Sequence, residues 1–334
     1  METDGTRFDE STDSGSLPNC RSVRFEPNEN NVKKIKDMKF YIVDPQAHHK
    51  NVDSIRKMMI KNKIDYTTCD DLSKLDDSYN VVICANRFFP PEQFPKNCKV
   101  IFGPQFFVFP DDTNHPIHKH TYDPTRFFYN TLIKWNFDIH KTIAKNLTLT
   151  FITCPFGLDV DSIPIVPIKR TNVMVYFKDR HPDTLVIVEK FLKEKNISYN
   201  LVKYGSYLDN DFKEKLQVTK FVIWIGRHES QGFAFQETLA SNVPILLWDV
   251  KSMYEEFTNR WAYEYYKPTG LSLSATSATV WSDECGVRFY EASDLDKAFN
   301  EITANLDTFS PRKVIAEKVS LEATYVNLIN QIYT

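Results

Sequence analysis

The apolar positions alternate between short buried runs and amphipathic stretches from residue 39 onward. Residues 40–43, 66–69, 81–85, 100–102 and 149–152 are runs of strand length, and Val52, Ile55 and Met59 put one apolar face on a helix of about three turns. Phe128, Leu132, Trp135, Ile139 and Ile143 form a longer stripe that predicts one helix over 125–146, with Lys134, Lys141 and Lys145 solvated. A proline-rich stretch follows at 160–170. Beyond it, 172–177 reads as a strand, and Leu185, Val188 and Leu192 mark a helix. Tyr325, Leu328, Ile329 and Ile332 line one face of a closing helix. Strands alternating with helices predict parallel sheets, hence an α/β fold. The pattern divides into a polar tail over 1–37, a first domain over 38–160, a linker over 161–170, a second domain over 171–315 and a final helix over 316–334.

The most informative stretch is 221–249, FVIWIGRHESQGFAFQETLASNVPILLWD. Residues 221–225 read as a buried parallel strand. A turn over 226–232 leads into a helix over 233–241, which Asn242 can end in a left-handed conformation and Pro244 prevents from continuing. Residues 245–248 are a second buried strand, closing on Asp249. Glu229 falls in the turn and Glu237 about one turn inside the helix. Both border the space beyond a strand's carboxyl end, where α/β sheets bind ligands. The helix N-terminus offers free N–H groups and partial positive charge, and Gly232 lets a ligand approach the backbone. Two carboxylates beside an anion site suit hydroxyls, and a ligand with phosphate in the middle and hydroxyls at both ends is a nucleotide-sugar. Taken singly the glutamates would pass as a solvated loop residue and an exposed helix position. The Gly-Phe step, the small-residue helix end and the strand after Pro244 favour the site.

Glu229, Gly232, Phe233, Glu237, Ala240 and Pro244 together resemble the signature of the group 1 (family 4) retaining glycosyltransferases of GT-B fold, with Asn242 where that family usually has glycine. The turn at 154–159 and the segments 285–299 and 321–333 are similar to the family as well, so the resemblance covers 150–334. The N-terminal half shares only the strand-helix rhythm, and its segment 44–50 lacks the family's Gly-rich loop. The resemblance implies two Rossmann-like domains facing across a cleft and a terminal helix that crosses back onto the first. It implies that Glu237 accepts the ribose hydroxyls of a donor and that Glu229 holds the transferred sugar. Lys178 and Arg180, with the backbone at Gly232, Phe233 and Ala234, would neutralise the donor diphosphate. Ser230 and Gln231 complete that turn, and Tyr204 and Gly205 are candidates beside the nucleotide base. The implied reaction is metal-independent transfer from a UDP- or GDP-sugar to a hydroxyl of a glycan or glycoconjugate, with retention. No convincing nucleophile is present, which favours same-face attack on an oxocarbenium-like centre. Two other readings stay open: a non-catalytic GT-B-like scaffold binding glycan or protein, and another sugar-phosphate enzyme of the fold, a phosphorylase or epimerase.

Composition narrows the setting. Across 334 residues, 42% hydrophobic and 25% charged content is ordinary for a soluble globular protein, and a net charge of −3 gives no basic field for nucleic acid. The 16 Tyr and 25 Phe fit carbohydrate handling and large cores equally. Six cysteines without a CxxC pair read as reduced thiols in a cytoplasmic protein. No apolar run is long enough to span a bilayer, no secretory signal is expected, and an oligomer is left open. His115, His118 and His120 have a spacing that could bind a metal, but no fourth ligand is evident and none is expected. Asp-x-Asp occurs at about the frequency chance gives, and GxGxxG, P-loop and GxSxG motifs are absent.

Overall fold

The computed structural model describes residues 38–43, 49–85, 87–103, 116–143, 147–165, 170–258 and 260–334; the tail over 1–37 and His115 lie outside them. The first half contains β1 (Lys39–Val43), α1 (His49–Asn62), β2 (Asp65–Cys69), β3 (Val81–Cys84), β4 (Lys99–Phe102), β5 (Phe127–Asn130), α2 (Lys134–Ile143) and β6 (Thr150–Ile152). Its six strands are all parallel, in the order β2-β1-β3-β4-β5-β6. The second half contains β7 (Asn172–Lys178), α3 (Pro182–Glu194), β8 (Tyr199–Lys203), α4 (Asp209–Gln217), β9 (Thr219–Gly226), α5 (Phe233–Ala240), β10 (Ile245–Trp248), α6 (Trp261–Tyr266), β11 (Gly286–Phe289), α7 (Leu295–Ala304), α8 (Pro311–Val319) and α9 (Leu321–Tyr333). Its five strands are also parallel, in the order β11-β10-β9-β7-β8. The two parallel α/β sheets read from the apolar rhythm are therefore present.

One predicted element is corrected. Residues 125–146 are not a single helix: Phe127–Asn130 is β5, and α2 starts at Lys134. The buried Asn130 side chain makes the break, accepting from Leu132 N at 3.0 Å and Cys154 N at 2.9 Å while donating to Cys154 O at 2.8 Å. Leu132 then takes φ 69°, which no helix continues through. The helical spacing of Phe128 and Leu132 is a coincidence of a strand residue and a turn residue.

Each sheet is buried on both faces, as crossovers of parallel strands require. Beneath the first sheet, Phe40, Ile42, Ile55 and Met59 pack with Leu321, Tyr325, Leu328, Ile329 and Ile332, so α9 completes the core of the N-terminal half. The chain passes between the halves twice at one place, where Leu158 N donates to Val319 O at 2.7 Å. Gly157 makes that crossing tight, since a Cβ there would lie 3.0 Å from Leu321 Cα. A second junction joins Ile139 of α2 to Met253, Ala262, Tyr266, Leu273 and Ala275 of the long β10–β11 connection.

Candidate active site

In the second sheet the strand order reverses direction between β7 and β9, and ligands of doubly wound sheets bind in the crevice that opens there. Lys178 is the last residue of β7, and β9 ends at Gly226, immediately before the turn that carries Glu229. The crevice continues into a cleft of about 780 Å³ lined from both halves. His49, Lys50 and Asn51 at the start of α1 and Leu132 and Asn136 face Lys178, Tyr204, Gly205, Arg227, Glu229, Ser230, Gln231, Gly232, Phe233 and Ala234.

At its centre the Lys178 Nζ lies 2.5 Å from Glu229 Oε1, with both side chains buried, and sits 4.1 Å from the centroid of the Tyr204 ring. The Glu229 backbone is held on both sides, its N–H donating to Thr276 O at 3.1 Å and its carbonyl accepting from Trp135 Nε1 at 3.1 Å. Gly232 caps α5 at φ 60°, ψ 53°, and a Cβ there would come 2.9 Å from Thr279 Cγ2. The first N–H groups of α5 have no intrahelical partner, and Phe233 and Ala234 at that helix start, where partial positive charge gathers, line the cleft. Asn242 takes φ 55° and ends the helix region as its composition predicts.

Gln231 works differently from its neighbours. Its amide Oε1 accepts from Phe156 N at 2.8 Å, and Nε2 donates to Phe156 O at 3.0 Å and Gln236 Oε1 at 3.0 Å. The side chain thus pairs with the turn between the halves, and Phe233 stacks on Phe156 beside it.

Arg180 is not brought to the cleft. Asp179 takes φ 50°, which ends the strand's alternation, and the next side chain lies at the carboxyl ends of β9 and β10, outside the cleft lining. There the buried guanidinium donates to Gly226 O at 3.3 Å and Trp248 O at 3.2 Å and pairs with Glu255 at 3.2 Å. Its place at the cleft is taken by Arg227, whose Nη1 pairs with Glu256 at 3.1 Å. Behind Glu229 lies the fully buried His228, whose ring meets Trp135 edge to face; burial, then Arg227 and Lys178, hold its imidazole down at about 3.

Glu237 is buried and does not itself line the cleft, although its neighbours Lys50, Tyr207 and Asp209 do; desolvation pushes its carboxyl up while Lys50 pulls it down. Tyr176 stacks on Trp224 at 3.9 Å beneath the site, and its hydroxyl meets that of Tyr207 at 3.3 Å. His118 and His120 do not line the cleft, and no group of three His, Cys, Asp or Glu that could hold a metal occurs among the described residues. Lys50 and Arg227 escaped the sequence reading. Arg227 is two residues before Glu229 and was legible as a cation at the same turn, whereas Lys50 lies in the segment noted only for its lack of glycine.

The architecture is that of the GT-B glycosyltransferases: two parallel-sheet α/β domains with the cleft between them. The structure is similar to that of AviGT4, a glycosyltransferase involved in avilamycin A biosynthesis, with a TM-score of 0.52 at 8% identity over 89% of this chain and 97% of that one. The lipopolysaccharide outer core galactosyltransferase WaaB (TM-score 0.49, 10% identity, 89% and 99% of the two chains) and a sucrose-phosphate synthase from Thermosynechococcus elongatus (0.47, 10%, 89% and 98%) also align with it. No protein-family model matches the chain, and no curated protein matches it in sequence.

Proposed function

We propose that the protein is a retaining glycosyltransferase of group 1 type, moving a sugar from a nucleoside diphosphate donor to a hydroxyl of a glycan or glycoconjugate. The observation that carries this reading is the buried Lys178–Glu229 pair at the strand-order reversal, beside the N-terminus of α5. It sets a cation and a carboxylate side by side where a diphosphate and a sugar ring would meet. Lys178, Arg227 and the N–H groups at the start of α5 would take the charge that develops on the departing diphosphate. Glu229, released from Lys178 as the phosphate arrives, would accept from hydroxyls of the transferred sugar, and Glu237 from those of the ribose. Tyr204 and Gly205 border the base end. With these cations in place the scheme needs no divalent ion, and it routes the acceptor to the same face that the diphosphate leaves. Free buried cysteines fit a cytoplasmic setting.

Calorimetric titration with UDP, GDP and ADP in the presence of EDTA tests the donor site. Binding of at least one is expected, and NMR of the product's anomeric centre should show retention. Binding that appears only with Mn²⁺ removes the metal-free scheme, and no binding of any of the three removes the donor site.

A further inference from the structure

We propose that Lys50 is a positioning residue for nucleotide recognition: from the first domain it holds the Glu237 carboxylate of the second in its ionised, hydroxyl-accepting form. The ribose site would then draw on both domains. The inference rests on the donor reading above and supplies the link between that reading and the first domain.

Three observations support it. Lys50 stands in the first turn of α1 and reaches across the cleft, its Nζ lying 2.9 Å from Asp209 and 3.9 Å from Glu237 Oε1. Glu237 is buried on α5, and its neighbours Lys50, Tyr207 and Asp209 line the cleft. Lys50 is also the only cation within 4 Å of the Glu237 carboxylate among the described residues.

The charges around Glu237 come from two elements. Lys50 and Lys57 face it from α1, Lys213 and Asp209 from α4, with Tyr207 just before α4. Desolvation raises the Glu237 carboxyl, and among the cations Lys50 opposes this most. Burial also works against the Lys50 charge, but its hydrogen bond to Asp209 and the field of Glu237 outweigh it and raise the ammonium above its ordinary value. Lys50 therefore stays charged. Without the Lys50 charge the buried Glu237 would lose the cation that opposes desolvation most, and its protonated form would be favoured. A protonated carboxyl is a poorer acceptor for two ribose hydroxyls.

The test uses the full chain and whichever of UDP, GDP and ADP binds best, together with its nucleoside. Affinity is measured from about pH 5.5 to about pH 8.5 for the wild type, Lys50→Met, Lys50→Arg and Asp209→Asn. Lys50→Met should weaken nucleoside and nucleotide alike by about tenfold at the acid end and far less at the alkaline end. Lys50→Arg should restore most of the loss. Asp209→Asn should not move the acid limb upward, because Asp209 itself raises the Glu237 carboxyl. A Lys50→Met profile that overlays the wild type, or a loss equal at every pH, overturns the proposal. So does an Asp209→Asn variant that reproduces the Lys50→Met profile. If the wild type binds none of the three diphosphates, the donor reading itself falls and this inference falls with it.

Discussion

The Lys178 ammonium and the Glu229 carboxylate meet at 2.5 Å where neither side chain is more than 9% exposed. An ion pair so far out of water is held by mutual dependence, and removing one member strands the other. Lys178→Met should therefore cost about 3 kcal/mol of unfolding free energy, the low end of the range for a buried pair because the cleft admits water. The double variant Lys178→Met/Glu229→Gln should recover more than half of it. Urea denaturation of the three proteins checks this, and a double variant no more stable than Lys178→Met would mean that the pair is already solvated.

Arg180 and Arg227 have different roles. Arg180→Ala removes donors from two buried carbonyls, so it should lower stability by about 1–3 kcal/mol and leave diphosphate affinity close to wild type. Arg227→Ala should weaken the diphosphate more than the nucleoside, since its guanidinium lines the cleft. Thermal shift and calorimetry on both variants separate the two effects.

Gly232 and Gly286 both carry positive φ but should fail differently. At Gly232 a Cβ meets the methyl of Thr279, a side chain that can turn away, so Gly232→Ala should cost about 1–2 kcal/mol and chiefly impair anion binding at α5. At Gly286, φ is 137° and a Cβ would fall 2.1 Å from the Ile245 carbonyl oxygen. That contact is backbone on backbone between β10 and β11, so Gly286→Ala should abolish soluble folded protein. A folded Gly286→Ala with a native circular dichroism spectrum would contradict the register of these strands.

The unit from β9 to β10 was legible because its signals are local: an apolar strand, the Gly232-Phe233 step, and Asn242 before Pro244. β5 was misread because Phe128 and Leu132 fall at helical spacing, and only the Asn130 side chain, bonded to Cys154 across the next strand, shows that the chain turns between them. Arg180 was misplaced for a similar reason. The resemblance assigns it to the diphosphate together with Lys178, but a left-handed Asp179 is invisible in composition. Lys50 could not be found at all without the tertiary structure, since its partners Asp209 and Glu237 lie far along the chain and become neighbours only when the two sheets face each other.

His228 gives the protein a defined acid sensitivity. Burial, with Arg227 and Lys178, lowers its imidazole from 6.5 to about 3. Between those values the unfolded chain takes up a proton that the folded chain refuses. Stability is thus complete above about pH 6.5 and falls as the pH drops toward 3, by about 1.4 kcal/mol per unit. Glu256, 3.8 Å away, is raised by burial and acts in the opposite sense, gaining its proton first in the folded chain. The net expectation is that the wild type loses about 2 kcal/mol more than His228→Gln between pH 7.5 and pH 5, read from urea midpoints. Equal losses would show that the imidazole is protonated in the folded protein.

The two glutamates should separate the ends of the proposed donor. Glu237 faces Lys50 and Asp209 near Tyr207, while Glu229 faces Lys178 at the strand ends, so one ligand lying along the cleft would meet them at different groups. Glu237→Gln keeps the shape but replaces a charged acceptor, and it should weaken binding of the nucleoside diphosphate by about 1–3 kcal/mol. Glu229→Gln should leave that binding nearly intact and lower turnover of the complete nucleotide-sugar by a similar free energy, because its partners would be hydroxyls of the sugar being moved. Calorimetry with the diphosphate and turnover with the whole donor decide the matter. The reverse pattern would place the ligand the other way round in the cleft, with the ribose at Glu229. If neither variant changed binding or turnover, the donor site would lie elsewhere.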